Sequence, residues 1–114
     1  MDPTILMKEA KKGDVVILHL TGKLDSITSA TLEKRIFEAA EAGTHKLVLN
    51  FSEITYISSC GLRALLAIKK RLKSIPGKVV LCNLNSEVLE MMKICGFDHV
   101  LDIVDSESEA LRHF

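Results

Sequence analysis

The chain has 114 residues, enough for one domain spanning 1–114 and too few for two. Apolar residues make up 47% and charged residues 26%, a balance that excludes wholesale disorder. Lys and Arg number 15 and so do Asp and Glu, so the basic excess of a nucleic-acid binder is missing, and no run approaches the roughly 20 apolar residues that span a bilayer.

In chain order, residues 4–9 and 15–21 read as two strands around the turn Lys11-Lys12-Gly13-Asp14. Leu24-Asp25-Ser26 ends the extended run. A helix to about Ala42 follows, with Leu32, Ile36 and Ala40 on one face and Gly43 as its stop. Residues 46–51 contain Leu47-Val48-Leu49, typical of a strand covered on both faces. A second helix over 61–74 carries Leu62, Leu65, Leu66 and Leu72, and Pro76-Gly77 terminates it. Then come a strand at 79–82, a short helix capped by Asn85 or Ser86 and running to Ile94, and a strand at 100–104. A last helix, capped by Asp105 or Ser106, holds Ala110, Leu111 and Phe114. Strands alternating with helices of this length predict an α/β fold. The expected form is a mixed, mostly parallel sheet of four or five strands, with about four helices packed mainly on one side.

Cys60, Cys82 and Cys95 are odd in number and lack zinc-site or CxxC spacing. Buried, reduced thiols are the expectation, and with no apolar leader at the N-terminus the chain reads as cytoplasmic. The four histidines are scattered without paired spacing, which points to no metal and no cofactor. Arg63 follows Cys60 too closely for the Cys-x5-Arg loop of the small cysteine phosphatases, and no other catalytic arrangement is legible. The expectation is a binding module rather than an enzyme.

The informative stretch runs from Leu49 to Arg63. A buried strand leads to a turn that opens a helix, and in parallel sheets such turns are where ligands and partners bind. Ser58 and Ser59 fall at the helix N-terminus, where free backbone N–H groups and the helix dipole favour an anion. From local sequence alone Ser59 reads first as an N-cap.

Tyr56-Ile57-Ser58-Ser59-Cys60-Gly61-Leu62-Arg63 resembles the phosphorylation loop of STAS-domain anti-sigma factor antagonists, the anti-anti-sigma factors. Thr21-Gly22-Lys23-Leu24-Asp25-Ser26-Ile27-Thr28 resembles the Gly-x-Leu-Asp segment that follows the second strand in that family. Aligned on Gly61-Leu62, the family's phospho-acceptor falls on Ser59, with Ser58 as the expected cap and reserve acceptor. The chain departs from the common pattern at Ser58 and Asn50, where many members carry aspartate. The resemblance implies a partner surface of Asp25, Ser26, Thr28, Tyr56, Ser58, Ser59, Cys60, Gly61 and Arg63. It also implies the partners: an anti-sigma factor with histidine-kinase-like ATPase and serine kinase activity, and a metal-dependent serine phosphatase that reverses the modification. Nucleic acid and membrane are not expected partners. Two other uses of the fold stay open, a constitutive STAS scaffold in a signalling complex and a small-ligand or lipid-binding module.

Overall fold

The computed structural model describes residues 5–114. Five strands form one sheet in the order β1-β2-β3-β4-β5, comprising Leu6–Lys12, Val15–Leu24, Lys46–Ile57, Lys78–Cys82 and Asp102–Val104. β1 and β2 are an antiparallel hairpin, and the other neighbours are parallel. Helices α1 (Ser26–Glu41), α2 (Ser59–Lys73) and α3 (Ser86–Ile94) connect the parallel strands, and α4 (Glu107–Leu111) closes the chain. The α/β expectation is met. The expected start of the first strand at Thr4 lies outside the described residues.

The sheet is covered on both faces, and the alternation of its strands shows why. Val16, Leu18 and Leu20 of β2, Leu47, Leu49 and Phe51 of β3, and Val79 and Leu81 of β4 enter the larger core. Leu32 and Ile36 of α1, Leu65 and Ile68 of α2, and Val88 and Met92 of α3 meet them there. Val15, Ile17, Val48, Val80 and Cys82 point the other way and pack under Ala110, Leu111 and Phe114. Strands laid side by side in chain order, each joined by a right-handed crossover, put all three connecting helices on the same face. α4 follows the last strand, has no crossover to make, and covers the opposite face.

A polar tie holds α4 there. The Asn50 side-chain amide donates to Glu107 Oε2 at 2.7 Å, and His19 Nε2 lies 3.1 Å from the same oxygen. Asn50 Oδ1 accepts from the Ser52 N–H at 2.9 Å, so the amide uses both ends. An aspartate at position 50 would set a second carboxylate against Glu107, a like-charge contact. The Asn50 side chain therefore belongs to the α4 tie. Burial, assisted by the Glu107 charge, pushes the Cys82 thiol up to about 11. Cys60 is half-buried and Cys95 is exposed, which corrects the expectation that all three thiols are buried.

Candidate functional site

The site is assembled where β2 runs into α1 and β3 runs into α2. Leu24 and Ile57 pair at the carboxyl ends of their parallel strands, and the Ser58 N–H donates to the Leu24 carbonyl at 2.8 Å. One residue beyond each strand end stands a helix cap, Asp25 for α1 and Ser58 for α2. The two helices thus start side by side.

Asp25 caps α1 by accepting from the Ile27 and Thr28 N–H groups at 2.9 and 3.0 Å. Thr28 completes a reciprocal box, its hydroxyl oxygen accepting from the Asp25 N–H at 2.9 Å. The N–H of Thr28, followed by the other donors of this turn, holds the Asp25 carboxyl below its ordinary value. A carboxyl whose folded value is depressed contributes stability above the ordinary carboxylate range, and loses it as pH falls through the folded value. The stability gap between wild type and Asp25→Ala, followed by urea unfolding, should therefore be widest at neutral pH and narrow steadily below about pH 4. A gap independent of pH would mean that the cap contributes nothing as a carboxylate.

Ser58 is the cap of α2, accepting from the Gly61 N–H at 3.3 Å, while the Leu62 N–H bonds the Ser58 carbonyl. Ser59 is then the first helical residue and is exposed. Among the described residues the N–H groups of Ser59 and Cys60 find no acceptor. Ser26, Cys60 and Arg63 line a shallow groove between α1 and α2, floored by Ser29, Ala30 and Ala64. Arg63 lies over Cys60, with Nη2 3.6 Å from Sγ.

Two of the expected surface residues are withheld from the surface. Thr28 is buried at 2% exposure because its hydroxyl is committed to the cap, donating to the Lys23 carbonyl as well as accepting from Asp25. Gly61 is buried where α2 passes Leu24 and Ile57, and a Cβ there would meet Ile57 Cγ1 at 2.6 Å and Leu24 Cβ at 3.0 Å. These two residues hold the site together rather than present it. Gly61→Ala should cost about 1–3 kcal/mol through overpacking, measured by chemical denaturation, with Cys60→Ala as the neighbouring control. Asp25, Ser26, Tyr56, Ser58, Ser59, Cys60 and Arg63 keep at least part of their surface.

Residues 7–110 match the model of the STAS domain. BtrV of Bordetella bronchiseptica, named provisionally as an anti-sigma factor antagonist, is 32% identical over 100 residues, 88% of this chain and 86% of that protein. The anti-sigma F factor antagonist of Paenibacillus polymyxa is 28% identical over 85% of this chain and 84% of its own length. The crystal structure of a provisionally named anti-sigma factor antagonist from Thermotoga maritima superposes with a TM-score of 0.88 at 26% identity, covering 94% of this chain and 92% of that one. The sheet order, the paired helix starts and these matches together identify the chain as a member of the STAS domain family.

Proposed function

We propose that the protein is an anti-sigma factor antagonist whose binding is switched by phosphorylation of Ser59. With a free Ser59 hydroxyl it sequesters an anti-sigma factor of the histidine-kinase-like ATPase type and so frees a sigma factor. That partner transfers the γ-phosphoryl group of its own ATP to the Ser59 oxygen, with loss of the hydroxyl proton and release of ADP. A metal-dependent serine phosphatase returns the serine.

The observation that carries this reading is the exposed Ser59 on the first turn of α2, with Ser58 engaged as its cap and the Asp25 turn alongside. Phosphorylation adds about −1.5 to −2 charges and three acceptor oxygens. In the free domain the α2 N-terminus accommodates that group. In a complex the same charge is desolvated against a partner shaped for a hydroxyl, and binding is lost.

Phosphopeptide mapping after incubation with the ATPase-type kinase tests the assignment. Wild type and Ser58→Ala should be labelled at Ser59, and Ser59→Ala should stay unlabelled. Full labelling of Ser59→Ala at Ser58 would move the switch to the capping residue.

A further inference from the structure

Exposed apolar side chains continue from Tyr56, at the start of the acceptor loop, onto α3. Tyr56 is 49% exposed, Met91 39% and Ile94 74%. They are not scattered. Thr55, Tyr56, Glu87 and Met91 line one depression between β3 and α3, and Glu87, Glu90, Met91 and Ile94 line the next. The two depressions share Met91 and Glu87 and so make one patch. α3 is thereby amphipathic twice over: Val88 and Met92 enter the core, while Glu87, Met91, Glu90 and Ile94 form an outward face at i, i+4 spacing. Apolar side chains grouped in this way beside charged ones are a candidate for a protein contact.

Along α3 the rim is acidic, while on the β2 side the exposed Lys23 stands beside Tyr56. Glu87 and Glu90 border the patch, whereas Lys93, the cation of α3, lines a different depression with Leu84 and Asp98. A second copy of this chain fits poorly, because a two-fold axis through the patch would bring the glutamates of both copies together. The patch is also continuous with the acceptor site. Tyr56 pairs in the sheet with Lys23, and Ile57, which lines the same depression, directly precedes the cap Ser58. A stable interface covers about 800 Å² on each partner, more than one helix start supplies.

We propose that Tyr56, Met91 and Ile94 form a second docking surface, which receives an apolar segment flanked by Lys or Arg on the same anti-sigma factor that engages Ser59. This rests on the reading of the protein as an anti-sigma factor antagonist. The apolar centre supplies affinity that does not depend on the phosphorylation state, and the acidic rim sets the orientation. Phosphorylation at Ser59 then has to overcome a contact that it does not touch.

The test is calorimetric titration with the anti-sigma ATPase domain that wild type binds, using Met91→Glu/Ile94→Glu and Glu87→Lys/Glu90→Lys. All four side chains are exposed, so both variants should fold, with thermal melts lowered only slightly, by a cation in the first turn of α3 in one and by a like charge four residues from Glu87 in the other. The apolar pair should weaken binding about tenfold or more. The charge pair should weaken it too, and more so at low salt. Unchanged affinity for the first pair overturns the docking surface and leaves the Ser59 switch standing. Tighter binding by the second pair overturns the basic rim. Self-association of wild type that the first pair abolishes overturns the choice of occupant in favour of a second copy. Wild type that binds no ATPase-type domain overturns the underlying reading, and the inference falls with it.

Discussion

Leu65→Ala should lower the stability of the domain by about 2–5 kcal/mol and leave the proposed phosphorylation of Ser59 unaffected. Leu65 sits on the second turn of α2, is 1% exposed, and belongs to the core shared with Leu47, Leu49 and Phe51. Truncation removes its buried methyl groups and leaves a cavity that the surrounding sheet can fill only in part. The cap of α2 is set by Ser58, its bond to Gly61 and the Ser58–Leu24 contact, none of which involves Leu65. Urea denaturation should therefore show a lower midpoint with an unchanged slope, while the remaining folded protein is labelled at Ser59 as wild type is. A loss below about 1 kcal/mol would show that α2 is packed less firmly than its burial implies.

The second large effect has the opposite character. Ser59→Asp should melt with wild type, because a carboxylate on the first turn of a helix is favoured by the dipole. It should nevertheless bind the anti-sigma ATPase domain far more weakly. An uncompensated charge buried in a complex costs about 3–5 kcal/mol, which is a loss of more than about a hundredfold in affinity. Ser59→Ala provides the contrast: it should keep binding, refuse phosphate and escape the switch. If Ser59→Asp bound as tightly as wild type, charge at this position would not be the control.

These two variants divide the molecule into a part that folds the site and a part that presents it, and the sequence showed the two unequally. The crossover units were legible because Leu47-Val48-Leu49 and Val79-Val80-Leu81 are apolar on both faces of a covered sheet. The far end of β3 was not. Beyond Asn50 it has no β4 residue beside it, and its pairing with β2 is interrupted by register shifts near Thr21 and Gly22. Its buried residues Phe51, Ile54 and Ile57 therefore recur every third position instead of every second, and the segment looks like a turn. α2 begins at Ser59 rather than at Gly61 because Ser58 caps it, accepting from the Gly61 N–H.

The cap of α2 was easier, since Ser58 is a residue type that helix starts select. Which helix-start residues stay accessible was harder. Thr28 and Gly61 are committed to their neighbours through a reciprocal hydrogen bond and a close approach that only three-dimensional proximity reveals. The Asn50–Glu107 tie joins residues 57 positions apart and left no local signal. Met91 and Met92 are indistinguishable as letters, yet one faces solvent beside Tyr56 and the other is fully buried. The direction of α3 against the sheet decides between them, and that direction is a property of the packed core.

The central claim is that a phosphoryl group on Ser59 governs partner binding without altering the fold. It is tested most directly by titrating the purified anti-sigma ATPase domain with wild-type protein in two forms, unphosphorylated and stoichiometrically phosphorylated at Ser59. The account predicts firm binding by the first form and at least about a hundredfold weaker binding by the second, with closely matching melting curves. Equal affinities for the two forms would contradict it.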